Sequence, residues 1–87
     1  MPRVEIYTKA FCPYCSRALS LLKGRGVPYD EHDVTMGGSL KAEMVERTSG
    51  RLTVPQIFIG DAHIGGCDDL MALDAAGGLA PLLAGTP

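Results

Sequence analysis

Apolar and polar positions along the chain switch between two periods, and the switches divide it into strands and helices. Arg3 to Thr8 (RVEIYT) alternates and is rich in β-branched and aromatic residues, which predicts a strand with Val4 and Ile6 on one face. From Pro13 to about Lys23 the pattern becomes helical, with Cys15, Leu19 and Leu22 at i, i+4 and i+7. Pro13 suits the first turn of that helix and Gly24 is placed to end it. Val27 to Val34 (VPYDEHDV) reads as a weaker, polar strand that Gly37 and Gly38 break. Ser39 then caps a helix carrying Leu40, Met44 and Val45.

The best strand signal is Val54 to Ile59 (VPQIFI), followed by Gly60-Asp61 and the short apolar AHI, a hairpin with a two-residue turn. After Gly65-Gly66 the stretch DDLMALDAAGG has acids in its first turn and glycines at its end, and LAPLLAGTP trails off as a short amphipathic end. The order is β-α-β-α-β-β-α. Two right-handed crossovers followed by an antiparallel hairpin and a helix predict an α/β fold, a mixed four-stranded sheet with helices on both faces.

Composition narrows what such a domain can be. The chain has 87 residues, 46% of them apolar and 21% charged, and a net charge of -2, which predicts one soluble domain over residues 1–87. A chain this short hides somewhat more than ~60% of its unfolded surface, enough for one modest core without metal or disulfide staples. Three cysteines are too few and too odd in number for a secreted disulfide framework, so a functional thiol is implied. The start, MPRVEIYTK, carries a charge inside its first apolar run and lacks a signal-like core, and no stretch approaches the ~18 apolar residues of a membrane span. Cytoplasmic residence is the expectation. The faintly acidic balance and the lack of a basic run exclude a nucleic-acid binder resting on clustered Lys and Arg.

The stretch FCPYC places Cys12 where the first strand gives way to the first helix, with Cys15 one turn further in. Residues i and i+3 of a helical turn have Cα atoms about 5 Å apart, a separation that a disulfide tolerates, so the pair can close reversibly. Unpaired N–H groups and the helix dipole stabilise a thiolate at Cys12. Cys12 is therefore the expected nucleophile. Cys15, shielded by the helix, is the expected resolving thiol, which attacks a mixed disulfide on Cys12 and releases the substrate. Three plainer readings compete: a zinc site completed by His63 and Cys67, a structural disulfide, and two buried inert cysteines. Pro-Tyr between the thiols suits a chelating knuckle poorly, and a four-residue loop restrains little of the unfolded chain.

Three stretches in this order and spacing, YTKAFCPYC, TVPQIFIG and HIGGCDDL, resemble the dithiol glutaredoxins over nearly the whole length. The resemblance implies a thioredoxin-like fold and an enzyme that uses glutathione as reductant for protein disulfides and protein–glutathione mixed disulfides. Its partners would be glutathione and disulfide-containing or glutathionylated proteins, with no metal cofactor, acting as a monomer. It further implies that Val54-Pro55 is a cis-proline dipeptide facing the thiols, its Val54 backbone pairing with the cysteine portion of glutathione like an added strand. Thr53 would flank that contact.

In the same likeness Gly66 and the backbone of Cys67 approach the glutamyl carboxylate while Asp68 meets its ammonium. Asp69 resembles a capping acid more than a ligand. Lys9 would serve the glycyl carboxylate, with Arg51 a weaker candidate, and Tyr14 would line the groove beside the sulfurs. His32 and His63 are not expected to act as bases, because a helix-stabilised thiolate needs none. Two other functions fit less well. An iron–sulfur carrier of this family has one active-site cysteine followed by glycine, where this chain has Pro13 and Cys15, and a thioredoxin-like donor recharged by a flavin reductase would need no glutathione groove.

Overall fold

The computed structural model describes residues 2–84. Four strands, β1 (Val4–Thr8), β2 (Asp30–Asp33), β3 (Gln56–Ile59) and β4 (Ala62–Gly65), form one sheet in the order β2-β1-β3-β4. Four helices accompany them: α1 (Pro13–Gly24), α2 (Gly38–Arg47), α3 (Cys67–Ala75) and the short α4 (Leu79–Leu83). The apolar tail thus forms a helix of its own, and its last three residues, 85–87, lie outside the described part.

Period-two alternation in β1 distributes its side chains between two layers. Val4 and Ile6 join Ala18 and Leu22 of α1, Leu70 of α3 and Leu79 of α4 in the larger core, together with Ile57 and Ile59. Tyr7 faces the other way, where Phe58, Val34 and Met44 of α2 form a smaller cluster. Helices therefore cover both faces of a mixed sheet, as in thioredoxin-like folds.

β1 and β2 are parallel, β1 and β3 antiparallel, and β3 and β4 antiparallel. Only the α1 connection is a parallel crossover, so the expectation of two such crossovers is corrected. Ten residues of α2 run about 15 Å, and the eight-residue segment 48–55 is long enough to bring the chain back, so β3 starts at the end of the sheet where β1 and β2 finish. That end holds the cysteines.

Several boundaries move for local reasons. Ser39 is not the cap of α2: Gly37 is, with φ 73°, and Ser39 lies inside the first turn. Gly24 is the last residue of α1, and the left-handed residue that ends it is Gly26, at φ 68°. Ala18 takes the core position between Cys15 and Leu22, while Leu19 is only partly buried. β3 begins after Pro55, which has no N–H to give to a ladder.

On the α2 face a polar network does part of the work that apolar packing does elsewhere. Glu5 is buried and accepts Arg47 Nη2 at 3.0 Å, with His32 Nε2 at 3.1 Å from its other oxygen. Tyr7 donates its hydroxyl to Glu43 and receives Arg47 Nη1 at 2.9 Å. Arg47 also lies over the Phe58 ring, 3.9 Å from its centroid. Burial alone raises the Glu5 pKa, but Arg47, His32 and Arg3 outweigh it and hold the carboxyl below its usual 4.5. Its contribution to stability is thus complete above the unfolded value and lost as pH falls through the lowered folded value. Urea unfolding followed from pH 7 to pH 3 should show wild-type stability falling below about pH 4.5 more steeply than that of Glu5→Gln. Parallel curves would remove Glu5 from the acid response.

Candidate active site

Cys12 is the N-cap of α1, with extended backbone angles, and its carbonyl accepts the Ser16 N–H at 3.1 Å. Its Sγ accepts the Cys15 N–H at 3.2 Å and lies 4.0 Å from the Val54 carbonyl oxygen. Phe11, just before it, turns the chain into the helix at φ 58° and is fully exposed at 104%.

The second thiol differs in its surroundings. Cys15 is 3% exposed, and burial together with the adjacent Cys12 sulfur pushes its pKa up to about 12, against a lowering by the Lys9 backbone N–H. Both thiols are free, Cys12 half-buried and Cys15 buried. One sulfur is open to a substrate and the other is held behind it.

Beside the thiols runs a groove of about 220 Å³. Tyr14 comes from α1, Thr53, Val54 and Pro55 from the segment before β3, and Gly66, Cys67 and Asp68 from the start of α3. The Val54–Pro55 peptide is cis, as the sequence resemblance implied. Arg51 also lines the groove. Lys9 is exposed at the end of β1, but it does not line the groove. Arg17 sits 5.6 Å from the Tyr14 ring centroid and so flanks the aromatic wall.

The start of α3 is built around Asp69, whose Oδ2 accepts the Gly66 N–H at 2.9 Å. Asp69 is a cap, as its position suggested. The Gly66 N–H is consequently already engaged, and the N–H groups an α-helix leaves open here are those of Cys67, Asp68 and Asp69. Gly65 has φ 117°, and a Cβ on it would lie 2.3 Å from Asp69 Oδ2, so only glycine accommodates the cap. Cys67 is buried with its Sγ 3.8 Å from Met71 Sδ, and burial pushes its thiol pKa up.

The four groups of a zinc reading, Cys12, Cys15, His63 and Cys67, are not brought together. Among the described residues only Glu5, His32 and Glu43 converge as metal donors, and Arg47 already pairs with both carboxylates. Gln56, which lines the groove, was not anticipated as a site residue. Its place directly after Val54-Pro55 was the available signal.

A mixed sheet of this topology, carrying an open and a buried thiol at one helix start opposite a cis-proline, defines a thioredoxin-fold thiol–disulfide oxidoreductase. The glutaredoxin family model matches residues 4–64. "Glutaredoxin 3" of Escherichia coli (strain K12) is 59% identical over 83 residues, covering 95% of this chain and 99% of that protein. The solution structure of a Brucella melitensis glutaredoxin superposes with a TM-score of 0.82 at 54% identity, over 95% of this chain and 89% of that one. A buckwheat glutaredoxin–glutathione complex gives 0.83 at 32% identity, over 95% and 77%. The chain belongs to the glutaredoxin family and is a glutathione-dependent thiol–disulfide oxidoreductase. Among the described residues no helix is long and apolar enough to cross a membrane.

Proposed function

We propose that the chain reduces disulfide-containing and glutathionylated proteins, with Cys12 as nucleophile and Cys15 as resolving thiol. The observation that carries this is the contrast within the pair: Cys12 is partly exposed and its Sγ receives an N–H, while Cys15 is buried with its thiol pKa pushed up to about 12. Towards a protein–glutathione mixed disulfide, the Cys12 thiolate attacks the glutathione sulfur. A Cys12–glutathione bond forms, the substrate S–S bond breaks, and the protein leaves as a thiolate that takes a proton from water. A second glutathione thiolate then attacks the bound glutathione sulfur, releasing glutathione disulfide and the Cys12 thiolate.

With an intramolecular protein disulfide the first attack leaves the substrate tethered to Cys12. Cys15 then attacks the Cys12 sulfur, closes the Cys12–Cys15 disulfide and expels the substrate's second thiolate, which accepts the Cys15 proton. Part of what raises the Cys15 pKa is the Cys12 sulfur itself, and that charge is gone once Cys12 is in a disulfide. Two glutathione thiols reopen the bond. The first route consumes one glutathione, which leaves bonded to the glutathione taken from the substrate, whereas the second consumes two.

Glutathione itself occupies the groove in this reading, as supported by the relative solved in complex with it. Thr53, Val54 and cis-Pro55 form the strand-like wall, Gly66, Cys67 and Asp68 the end that receives the glutamyl group, and Tyr14 the flank. Lys9, from outside the groove, and Arg51, from its wall, serve the glycyl carboxylate. The same proposal includes a single domain acting as a monomer in the cytoplasm, where reducing conditions keep three thiols free. Lys9→Glu and Asp68→Lys test the groove. Each should raise the KM for glutathione about tenfold or more, since a charged contact is reversed, while thermal unfolding moves little because both side chains are exposed. Equal effects on melting and on KM would reduce Asp68 to a helix-capping role and Lys9 to a solvated surface charge.

A further inference from the structure

Gln56 opens β3 directly after cis-Pro55 and is 1% exposed. A buried primary amide brings two donors and an acceptor that all need partners. Its Nε2 donates to the Thr53 carbonyl at 3.0 Å and to the Thr53 hydroxyl at 3.2 Å. A carbonyl oxygen only accepts, so these contacts fix the orientation of the amide and leave Oε1 facing His63. His63 Nε2 lies 2.7 Å from that oxygen and must therefore carry a proton.

His63 is held for this task from β4, at the edge of the sheet. It is the cross-strand partner of Phe58, and its ring stacks on the Phe58 ring with centroids 4.8 Å apart and planes 23° from parallel. Gln56 and Phe58 are two residues apart on one strand and so share a face. Partial desolvation, helped by Arg51, lowers the pKa of His63 below its usual 6.5, although the residue as a whole is exposed on β4.

The other end of this chain of bonds is the groove wall. Segment 48–55 has no strand ladder to shape it: backbone bonds to α2 hold residues 48–50, and side chains add to them at both ends. Thr48 Oγ1 accepts the Arg51 N–H at 3.1 Å near its start, and Gln56 grips Thr53 near its end. We propose that His63 is a positioning residue for glutathione: through Gln56 it fixes Thr53, and with it the Val54 backbone, without lining the groove itself. This rests on the reading of Thr53 and Val54 as glutathione contacts.

The test compares wild type with His63→Phe, which keeps an aromatic ring against Phe58 but has no donor, and His63→Gln. The glutamine Nε2 lies as many bonds from Cβ as the histidine Nε2 does and restores the donor. His63→Phe should raise the KM for glutathione about three- to tenfold, as expected for one lost hydrogen bond to a buried acceptor, with kcat within about twofold. His63→Gln should stay within about twofold of wild type in both. In the wild-type protein, ¹⁵N spectra of the imidazole at neutral pH should show Nε2 protonated and Nδ1 bare. An Nδ1–H tautomer, an unchanged KM in His63→Phe, or kcat falling with KM in step with a lost fold would each overturn the positioning role. Titrating glutathione into the wild-type protein separates the two levels. If the Thr53 and Val54 amides do not shift, the groove reading fails and the role of His63 fails with it; if they shift while His63→Phe matches wild type, only the role of His63 fails.

Discussion

Cys12→Ser should remove glutathione-linked disulfide reduction, with a loss of at least about a thousandfold, because the proposed reaction passes through a covalent bond to that sulfur. A serine oxygen in the same place cannot form a disulfide. The fold should survive, which makes the experiment clean. Serine is among the best N-cap residues, and its hydroxyl can accept the N–H that Cys15 now donates to Cys12 Sγ at 3.2 Å. Helix α1 would therefore be capped as well as before or better, and circular dichroism and melting temperature should match wild type. Turnover with a glutathionylated peptide and with a protein disulfide, measured on the same folded sample, decides the matter. Activity within a factor of ten of wild type would move the nucleophile away from Cys12.

Elements with a strong period of their own were legible before any coordinates. β1, α1 and the β3–β4 hairpin follow from alternation, from the Cys15-to-Leu22 stripe and from Gly60-Asp61 as a two-residue turn, and each sits within a few residues of its expected bounds. Polar β2 was harder. Asp30, Glu31 and Asp33 are exposed along an edge strand, so only its N- and C-terminal flanks, Val27 and Val34, are pinned by burial. The cap of α2 was misplaced because a serine before an apolar stripe is a good local signal, yet the chain needs left-handed residues at Gly37 and Gly38 to turn out of β2. Strand direction depends on where segment 48–55 leads the chain, which no local pattern encodes.

The thiol pair and the groove stretches were readable because each is contiguous. What joins distant stretches was not. Glu5 meeting Arg47, and Gln56 meeting His63, depend on strand register, and a buried amide does not announce its partner in sequence. The Gly66 N–H likewise looked free for a ligand until Asp69 was seen to occupy it. Lys9 shows the converse: three residues from Cys12 in sequence, it lies outside the groove walls.

Cys15→Ser should divide the two reactions that Cys12→Ser is expected to abolish together. Reduction of a glutathionylated peptide needs one thiol, because glutathione in solution can attack the glutathione sulfur bound to Cys12, so that activity should stay within about threefold of wild type. An intramolecular protein disulfide leaves its substrate tethered to Cys12, where a neighbouring thiol acts at an effective concentration that free glutathione does not reach. That activity should fall at least about tenfold. The geometry also predicts a direction for what remains. Removing the Cys15 sulfur takes away a thiol that gains little from ionising while Cys12 is free, with its pKa near 12, so the attack by Cys12 should be unharmed. The Cys15 N–H that reaches Cys12 Sγ belongs to the backbone and is retained by serine. Circular dichroism should again be unchanged, since serine is close to cysteine in size, although a hydroxyl at a buried position costs about 1 kcal/mol or more unless it finds a partner. A structural disulfide would instead make both variants equally unstable, and two inert cysteines would leave both reactions intact. A folded Cys15→Ser protein that is dead in both assays would assign the chemistry of the first attack to the buried thiol as well, and the division of labour proposed here would fall.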